Sequence, residues 1–280
     1  MEHVTFKKMH GLGNDFVIID GRTKNPNLTP QALRAIGDRH RGVGYDQLVV
    51  LEPSARGDIF MRIYNSDGTE AEACGNATRC VAHLMMAELD KDAVIVETVA
   101  GLLKGTTGPD NTIIIDMGAP KLHWADIPLA RAEDTLNTPL QAGPLANPVA
   151  VNMGNPHMVF FVDDAEAIDL DRWGPVLEHD PLLPQKANIS VASLTDTGDI
   201  RLRVWERGVG ITLACGSAAC ATIVAATLRG LVTGQARILL NGGPLDLRWQ
   251  EGGSVFMGGP IAYSYDGILS PALIEGPFNV

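Results

Sequence analysis

Two stretches decide how this chain reads: Ala73-Cys74-Gly75-Asn76-Ala77, leading into an apolar run to Leu89, and Ala214-Cys215-Gly216-Ser217-Ala218, leading into a second run to Leu231. They lie at a constant offset, 215 − 74 = 141, and the register extends outward from them. Gly57-Asp58-Ile59 falls on Gly198-Asp199-Ile200, Arg62-Ile63-Tyr64 on Arg203-Val204-Trp205, and Gly13-Asn14 on Gly154-Asn155. Gln47 falls on Asn188 and Asn65 on Glu206, and Met117-Gly118-Ala119-Pro120 recurs as Met257-Gly258-Gly259-Pro260 after a slip of one residue. Identities clustered in one register point to an internal duplication; the rival is coincidence among Gly-rich turns.

Outside these stretches, 30 Gly and 17 Pro punctuate short strand-like runs: FVIID, QLVVLEP, IFMRIY, VIVETV, TIIIDMG, MVFFVD and IRLRVW. Many short strands are predicted. Residues 75–89 and 216–231, rich in Ala, Leu, Met and Cys and apolar on nearly every side, read as two fully buried helices. Residues 124–148, Pro-bearing and without periodicity, read as a connector, with a domain boundary near 118–128.

The chain has 280 residues, with 22 Lys and Arg against 33 Asp and Glu, a net charge of −11. Its 45% apolar content suits one large core or two medium ones. So acidic a chain offers no basic stripe for phosphates, and its apolar runs break well short of a membrane span, so neither nucleic acid nor bilayer is an expected partner. The opening MEHVTFKKMHG lacks the features of a secretory signal, which predicts a cytoplasmic location and reduced cysteines.

Each Ala-Cys-Gly step precedes a helix start, where unsatisfied N–H groups and the positive dipole end lower a thiol pKa. If duplication brings equivalent residues face to face, Cys74 and Cys215 become a mirrored pair. Such a pair suits removal of a proton from one face of a carbon and its return on the other, one sulfur as general base and its partner as general acid. The N–H groups around Gly75, Asn76, Gly216 and Ser217 would hold the carboxylate onto which charge moves. No cofactor and no metal are expected, since no dinucleotide loop, P-loop, HExxH or paired CxxC pattern is present. Cys80 and Cys220 read as core residues. A redox disulfide is the rival for Cys74 and Cys215, although their separation is not a CxxC spacing.

Polar residues at matched positions extend the site. Asn14, Asn155, Gln47, Asn188, Asn65 and Glu206 can hold ammonium and carboxylate groups. In a Gly-Asn turn, Asn also serves simply for its tolerance of αL backbone. Arg207 is a carboxylate clamp or a solvated charge, and His157 tunes a thiol or is structural. His10, His40 and His83 have no partner in the pattern. Asp67-Gly68 reads as a turn presenting the Cys74 helix.

At these residues the chain resembles the diaminopimelate epimerases, through KMHGLGNDFVIID, YDQ, YNSDGTEAEACGN, VNMGNPH and VWERGVGITLACGSAAC. The resemblance runs nearly end to end. It implies an α/β fold of α+β type: two pseudo-symmetric domains, each a curved, mostly antiparallel sheet around a central buried helix. The first domain would be residues 1–120 joined by 270–280 and the second 121–269, with the active site in the cleft between them. It implies Cys74 and Cys215 as acid/base pair, assisted by His157 and Glu206. Substrate contacts would be Asn14, Gln47, Asn65, Gly75, Asn76, Asn155, Asn188, Glu206, Arg207, Gly216 and Ser217. The implied reaction is cofactor-independent epimerisation of LL- to meso-2,6-diaminopimelate in lysine and peptidoglycan precursor synthesis, by a cytoplasmic homodimer. Ala77, Ile211 and Ala218 depart from the family's Gly, Glu and Gly. The rivals are an epimerase of this fold with another amino-acid substrate, and a non-catalytic thiol redox or amino-acid-binding protein.

Overall fold

The computed structural model describes residues 4–275. Contacts divide the chain into two units, one the chain up to Ile115 joined by the segment from Gly259 onward, the other Asp116–Gly258.

The first unit opens with a hairpin of β1 (Val4–Gly11) and β2 (Asn14–Asp20). Its linking residues, Leu12 and Gly13, both have positive φ (58° and 82°), as a two-residue type I′ turn requires. Helix α1 (Pro30–Gly37) starts at Thr29, whose hydroxyl accepts the Ala32 N–H at 3.1 Å, with Pro30 in the first turn. Then follow β3 (Gln47–Glu52), β4 (Ile59–Asn65), β5 (Glu70–Ala71), α2 (Gly75–Leu89), β6 (Ala93–Thr98), β7 (Gly101–Thr107) and β8 (Ile113–Asp116). Pairs β1–β2, β3–β4, β4–β5 and β6–β7 are antiparallel. Pairs β2–β3 and β4–β6 are parallel, with α1 and α2 as their crossovers.

In the second unit, a short hairpin of β9 (Gln141–Ala142) and β10 (Leu145–Ala146) precedes β11 (Val149–Asn152), β12 (Pro156–Phe161), α3 (Leu170–Glu178) and β13 (Asn188–Leu194). The series continues with β14 (Ile200–Glu206), β15 (Gly210–Ile211), α4 (Gly216–Leu228), β16 (Gln235–Leu240), β17 (Gly243–Trp249) and β18 (Val255–Gly259). The pairing repeats that of the first unit: β11–β12, β13–β14, β14–β15 and β16–β17 antiparallel, β12–β13 and β14–β16 parallel. Even the register repeats, since Phe16 lies opposite Gln47 and His157 opposite Asn188, with 157 − 16 = 188 − 47 = 141. The repeat read from the sequence is thus a repeat of topology.

Strand β19 (Ala262–Leu269) pairs antiparallel with β1, and α5 (Pro271–Glu275) packs on α1. Of the segment 270–280 expected to return to the first domain, residues 276–280 lie outside the described residues.

In its own unit each long helix fills the sheet. Helix α2 contacts β1, β4, β6 and β7, and α4 contacts β11 to β14, β16 and β17. In α4 every residue from Ala218 to Ala226 is buried, and apolar members such as Ile223 and Val224 each contribute about 1.5–3 kcal/mol by leaving water. The last turn of α2 is instead exposed. Helix α4 ends at Leu228, three residues before the expected end, because Gly230 takes φ 70° and the next two N–H groups fold back, Gly230 onto Thr227 O and Leu231 onto Ala226 O. That is a Schellman stop. Residues 124–148, read as a connector, are packed: Ile127, Leu129, Leu140 and Leu145 are buried in one cluster with Phe160 and Leu177. Isolated apolar residues in irregular backbone carry no periodicity from which that burial could be read. Among the described residues no helix is long and apolar enough to cross a membrane.

Candidate active site

Cys74 and Cys215 occupy the same place in the two units, the extended residue directly before a long helix (φ −151°, ψ 112° and φ −117°, ψ 108°). Gly75 and Asn76, and likewise Gly216 and Ser217, are the first helical residues, whose N–H groups have no carbonyl one turn back. Neither helix has an acidic residue in its first turn, so its positive end is not offset from within.

In the first unit the sulfur of Cys74 lies 3.7 Å from Asn14 Oδ1, which also accepts Asn76 Nδ2 at 3.2 Å. Gln47 Nε2 donates to Asn65 Oδ1 at 3.1 Å across the β3–β4 register, and Asn65 Nδ2 donates to Thr69 at 3.1 Å. The Oε1 of Gln47 is buried and accepts nothing. The fold therefore gathers Asn14, Asn76 and Cys74, and pairs Gln47 with Asn65. The αL explanation for the Gly-Asn turns fails, because the glycines, Gly13 at φ 82° and Gly154 at φ 98°, take the left-handed backbone, leaving both amide side chains free for other work.

In the second unit, Asn155 Oδ1 lies 2.9 Å from His157 Nε2. His157 is fully buried, and burial, helped by the Arg207 charge, pushes its pKa down to about 3, so the ring is neutral. With Nε2–H donating to Asn155, Nδ1 is a buried acceptor without a partner. Asn188 is buried, accepts the Arg207 N–H at 2.8 Å and donates to Pro156 O at 3.3 Å. The exposed Arg207 guanidinium donates to Gln185 O at 3.1 Å. Glu206 accepts the Thr212 hydroxyl. The Cys215 sulfur lies 3.5 Å from Ser217 Oγ.

The thiols differ. Cys74 is half-buried and Cys215 buried. The helix start was expected to lower both pKa values, but at Cys215 burial drives the thiol well above its ordinary value and the Glu206 carboxylate adds to it, against Ser217 and the Ala218 N–H. Desolvation outweighs the dipole there. Cys80 and Cys220 are fully buried core residues, and burial holds the Cys80 thiol up at about 12. All four cysteines are thiols. His10 accepts the Gly13 N–H at 3.4 Å in the hairpin turn, and Asp67 accepts both N–H and hydroxyl of Thr69 in the turn before Cys74.

Sequence reasoning missed Asp46, Arg79 and Thr212. Asp46 accepts Asn14 Nδ2 at 3.0 Å, and Arg79, fully buried in α2, donates to Asn76 Oδ1 at 2.8 Å. An arginine inside an otherwise apolar run was the available signal for Arg79. Nothing in the spacing marks Asp46 or Thr212. Among the described residues no cluster of three His, Cys, Asp or Glu could hold a metal ion. The groove lined by Phe6, Lys7, Arg22, Met85, Glu88 and Asp266 contains none of the predicted residues.

The family model described as diaminopimelate epimerase matches residues 6–123 and 149–263. Diaminopimelate epimerases of Rhodospirillum centenum and Acidiphilium cryptum are 55% and 50% identical to this chain, covering 97% and 96% of it and 94% and 97% of their own lengths. Among solved structures, a PhzF-family phenazine biosynthesis protein of Bacillus anthracis superposes with TM-score 0.69 at 17% identity, covering 96% of this chain and 100% of its own. A hydroxyproline epimerase of Agrobacterium vitis superposes with TM-score 0.67 at 14% identity, covering 98% and 94%. These two share the fold. With the family match spanning both halves, and relatives at half or more identity over nearly the whole length, the chain belongs to the diaminopimelate epimerase family.

Proposed function

We propose that the protein is an isomerase that interconverts LL- and meso-2,6-diaminopimelate by passing a proton between Cys74 and Cys215, with no pyridoxal cofactor. The observation that carries this reading is the recurrence of one chemical element, a cysteine directly before a long helix, in both halves of a duplicated chain of this family. Inversion at carbon needs two acid/base groups on opposite faces of the α-carbon. One sulfur, as thiolate, takes the α-proton; the other, as thiol, delivers a proton to the opposite face; the reverse reaction exchanges the roles. Each of the two units supplies one thiol.

The harder half of the chemistry is the charge that leaves the α-carbon for the carboxylate. N–H groups at the starts of α2 and α4 are preorganised donors for it, each worth about 3–4 kcal/mol in comparable oxyanion sites. Glu206, held by Thr212 and close enough to raise the Cys215 thiol, is the group to accept that thiol's proton, while His157 stays neutral and orients Asn155. The unfilled Gln47 Oε1 is an acceptor for a substrate ammonium. Asn65, Asn155, Asn188 and Arg207 grip the distal amino-acid end, which gives the stereochemical preference. The same reading includes a small diamino dicarboxylic acid as substrate and a cytoplasmic homodimer serving lysine and peptidoglycan precursor synthesis.

The test is proton NMR of reduced protein with LL-diaminopimelate in D₂O, without added pyridoxal phosphate. Loss of the α-proton signal with appearance of the meso isomer is the expected result. A folded, fully reduced protein that exchanges no α-proton overturns the assignment.

A further inference from the structure

In the first unit three hydrogen bonds link Arg79, Asn76, Asn14 and Asp46 in one direction. Arg79 Nη2 donates to Asn76 Oδ1 (2.8 Å), Asn76 Nδ2 to Asn14 Oδ1 (3.2 Å), and Asn14 Nδ2 to Asp46 Oδ2 (3.0 Å). A guanidinium has only donors and a carboxylate only acceptors, so neither amide can turn over without setting like groups against each other. The acceptor end is itself anchored. Asp46 accepts Arg39 Nη2 at 2.7 Å and the Asp15 N–H at 3.1 Å. Asp15 is gripped in turn by Arg39 and Lys8, which hold its carboxyl at about 2 against the opposing effect of burial. The Asn14 oxygen, not its NH₂, is thereby left facing the Cys74 sulfur at 3.7 Å. An oxygen in that position accepts from a thiol S–H and disfavours a thiolate.

We propose that Asp46 and Arg79 are positioning residues that lock the Asn14 amide with its oxygen towards Cys74 and so keep that thiol protonated in the substrate-free protein. The charged and titratable groups around this lock are Lys8 and His10 on β1, Asp15 on β2, Arg39 and Asp46 between α1 and β3, Glu72 before Cys74, and Arg79 and Cys80 on α2. The proposal rests on the two-thiol reading only for the task it gives Cys74. Its test uses no substrate, so its failure leaves the epimerase assignment standing, and the converse holds.

The experiment follows iodoacetamide alkylation of each cysteine against pH, by peptide mass spectrometry of the folded full-length chain. In Asp46→Asn the Asn14 NH₂ loses its carboxylate acceptor, so only Asn76 still holds the Asn14 oxygen and the amide can swing that oxygen off the sulfur. The Cys74 midpoint then falls by about one pH unit, making alkylation about tenfold faster at any pH below both midpoints, while Cys80 on the same helix is unchanged. Asp46→Glu, which keeps the acceptor, restores the original midpoint. Asp46→Ala, which leaves Asn14 Nδ2 without its acceptor, is the second variant and shifts Cys74 in the same direction. Asp46 is partly exposed, with 44% of its side chain accessible, so these changes spare the core. A Cys74 midpoint that stays put or rises in both variants, or a fall that about 0.5 M salt abolishes, as loss of the Asp46 charge alone would give, overturns the proposal. So does faster alkylation of all four cysteines together, the signature of simple loosening.

Discussion

Cys74 and Cys215 stand in nearly identical sequence contexts, yet the first is half-buried against an amide oxygen and the second is buried beside a carboxylate. A general acid/base group contributes about 10²–10⁴ in rate, so Cys74→Ala and Cys215→Ala should each lower α-proton exchange by at least that factor, measured by NMR in D₂O. Retention of most of the activity in either variant would remove that sulfur from the mechanism. His157 gives a prediction in pH. Its folded pKa of about 3 lies below the ordinary 6.5, so the unfolded chain binds a proton in that interval and the folded chain does not. The stability contribution is complete above pH 6.5 and is lost as the pH falls towards 3, with a slope of up to about 1.4 kcal/mol per pH unit. Urea unfolding between pH 7 and pH 4 should show that slope in the parent protein and a shallower one in His157→Gln; equal slopes would mean that the ring protonates freely in the fold.

Elements matter here mainly through the two helices that present the thiols. Helix α2 lies so close to β7 that a Cβ on Gly105 would come within 2.6 Å of Ala82 Cβ and 3.3 Å of Ile115 Cδ1. Both neighbours are buried, so the helix must shift to make room. Gly105→Ala should therefore cost about 1–3 kcal/mol, read as a lower Tm by calorimetry, at about 2–4 °C per kcal/mol for a domain of this size. Because that shift displaces the helix start, exchange activity should fall even at temperatures where the variant is fully folded. An unchanged Tm would show that α2 has slack the packing does not suggest. Leu12, a buried non-glycine at φ 58°, marks the same tendency in the hairpin that sets Asn14: local backbone cost is carried where the site is assembled.

Across the whole molecule, each half repeats one topology and contributes one cysteine before one buried helix. A reaction that needs both thiols treats them as one unit, so removing the second after the first should cost little more. The double variant Cys74→Ser/Cys215→Ser should be about as slow as either single variant in the exchange assay, as in other catalytic groups that act together. Losses that multiply instead would mean that the two cysteines work independently, and the duplication would lose its mechanistic meaning.

Much of this was readable along the chain. Alternating apolar runs such as IFMRIY and IRLRVW became β4 and β14, and the offset of 141 marked Gln47 and Asn188, and Cys74 and Cys215, as equivalent positions in the two units because a duplicated chain keeps its register. The stretches around both cysteines pointed to the family to which the chain belongs. Other features waited for the folded chain. Asp46, Arg79 and Thr212 acquire meaning only when segments distant in sequence bring their donors and acceptors within reach, and packing of 124–148 depends on single apolar residues finding a common core. The rise of the Cys215 thiol likewise could not be read from an Ala-Cys-Gly step. Helix position is a local property, but desolvation and the nearness of Glu206 depend on everything that surrounds the sulfur, and those are tertiary facts.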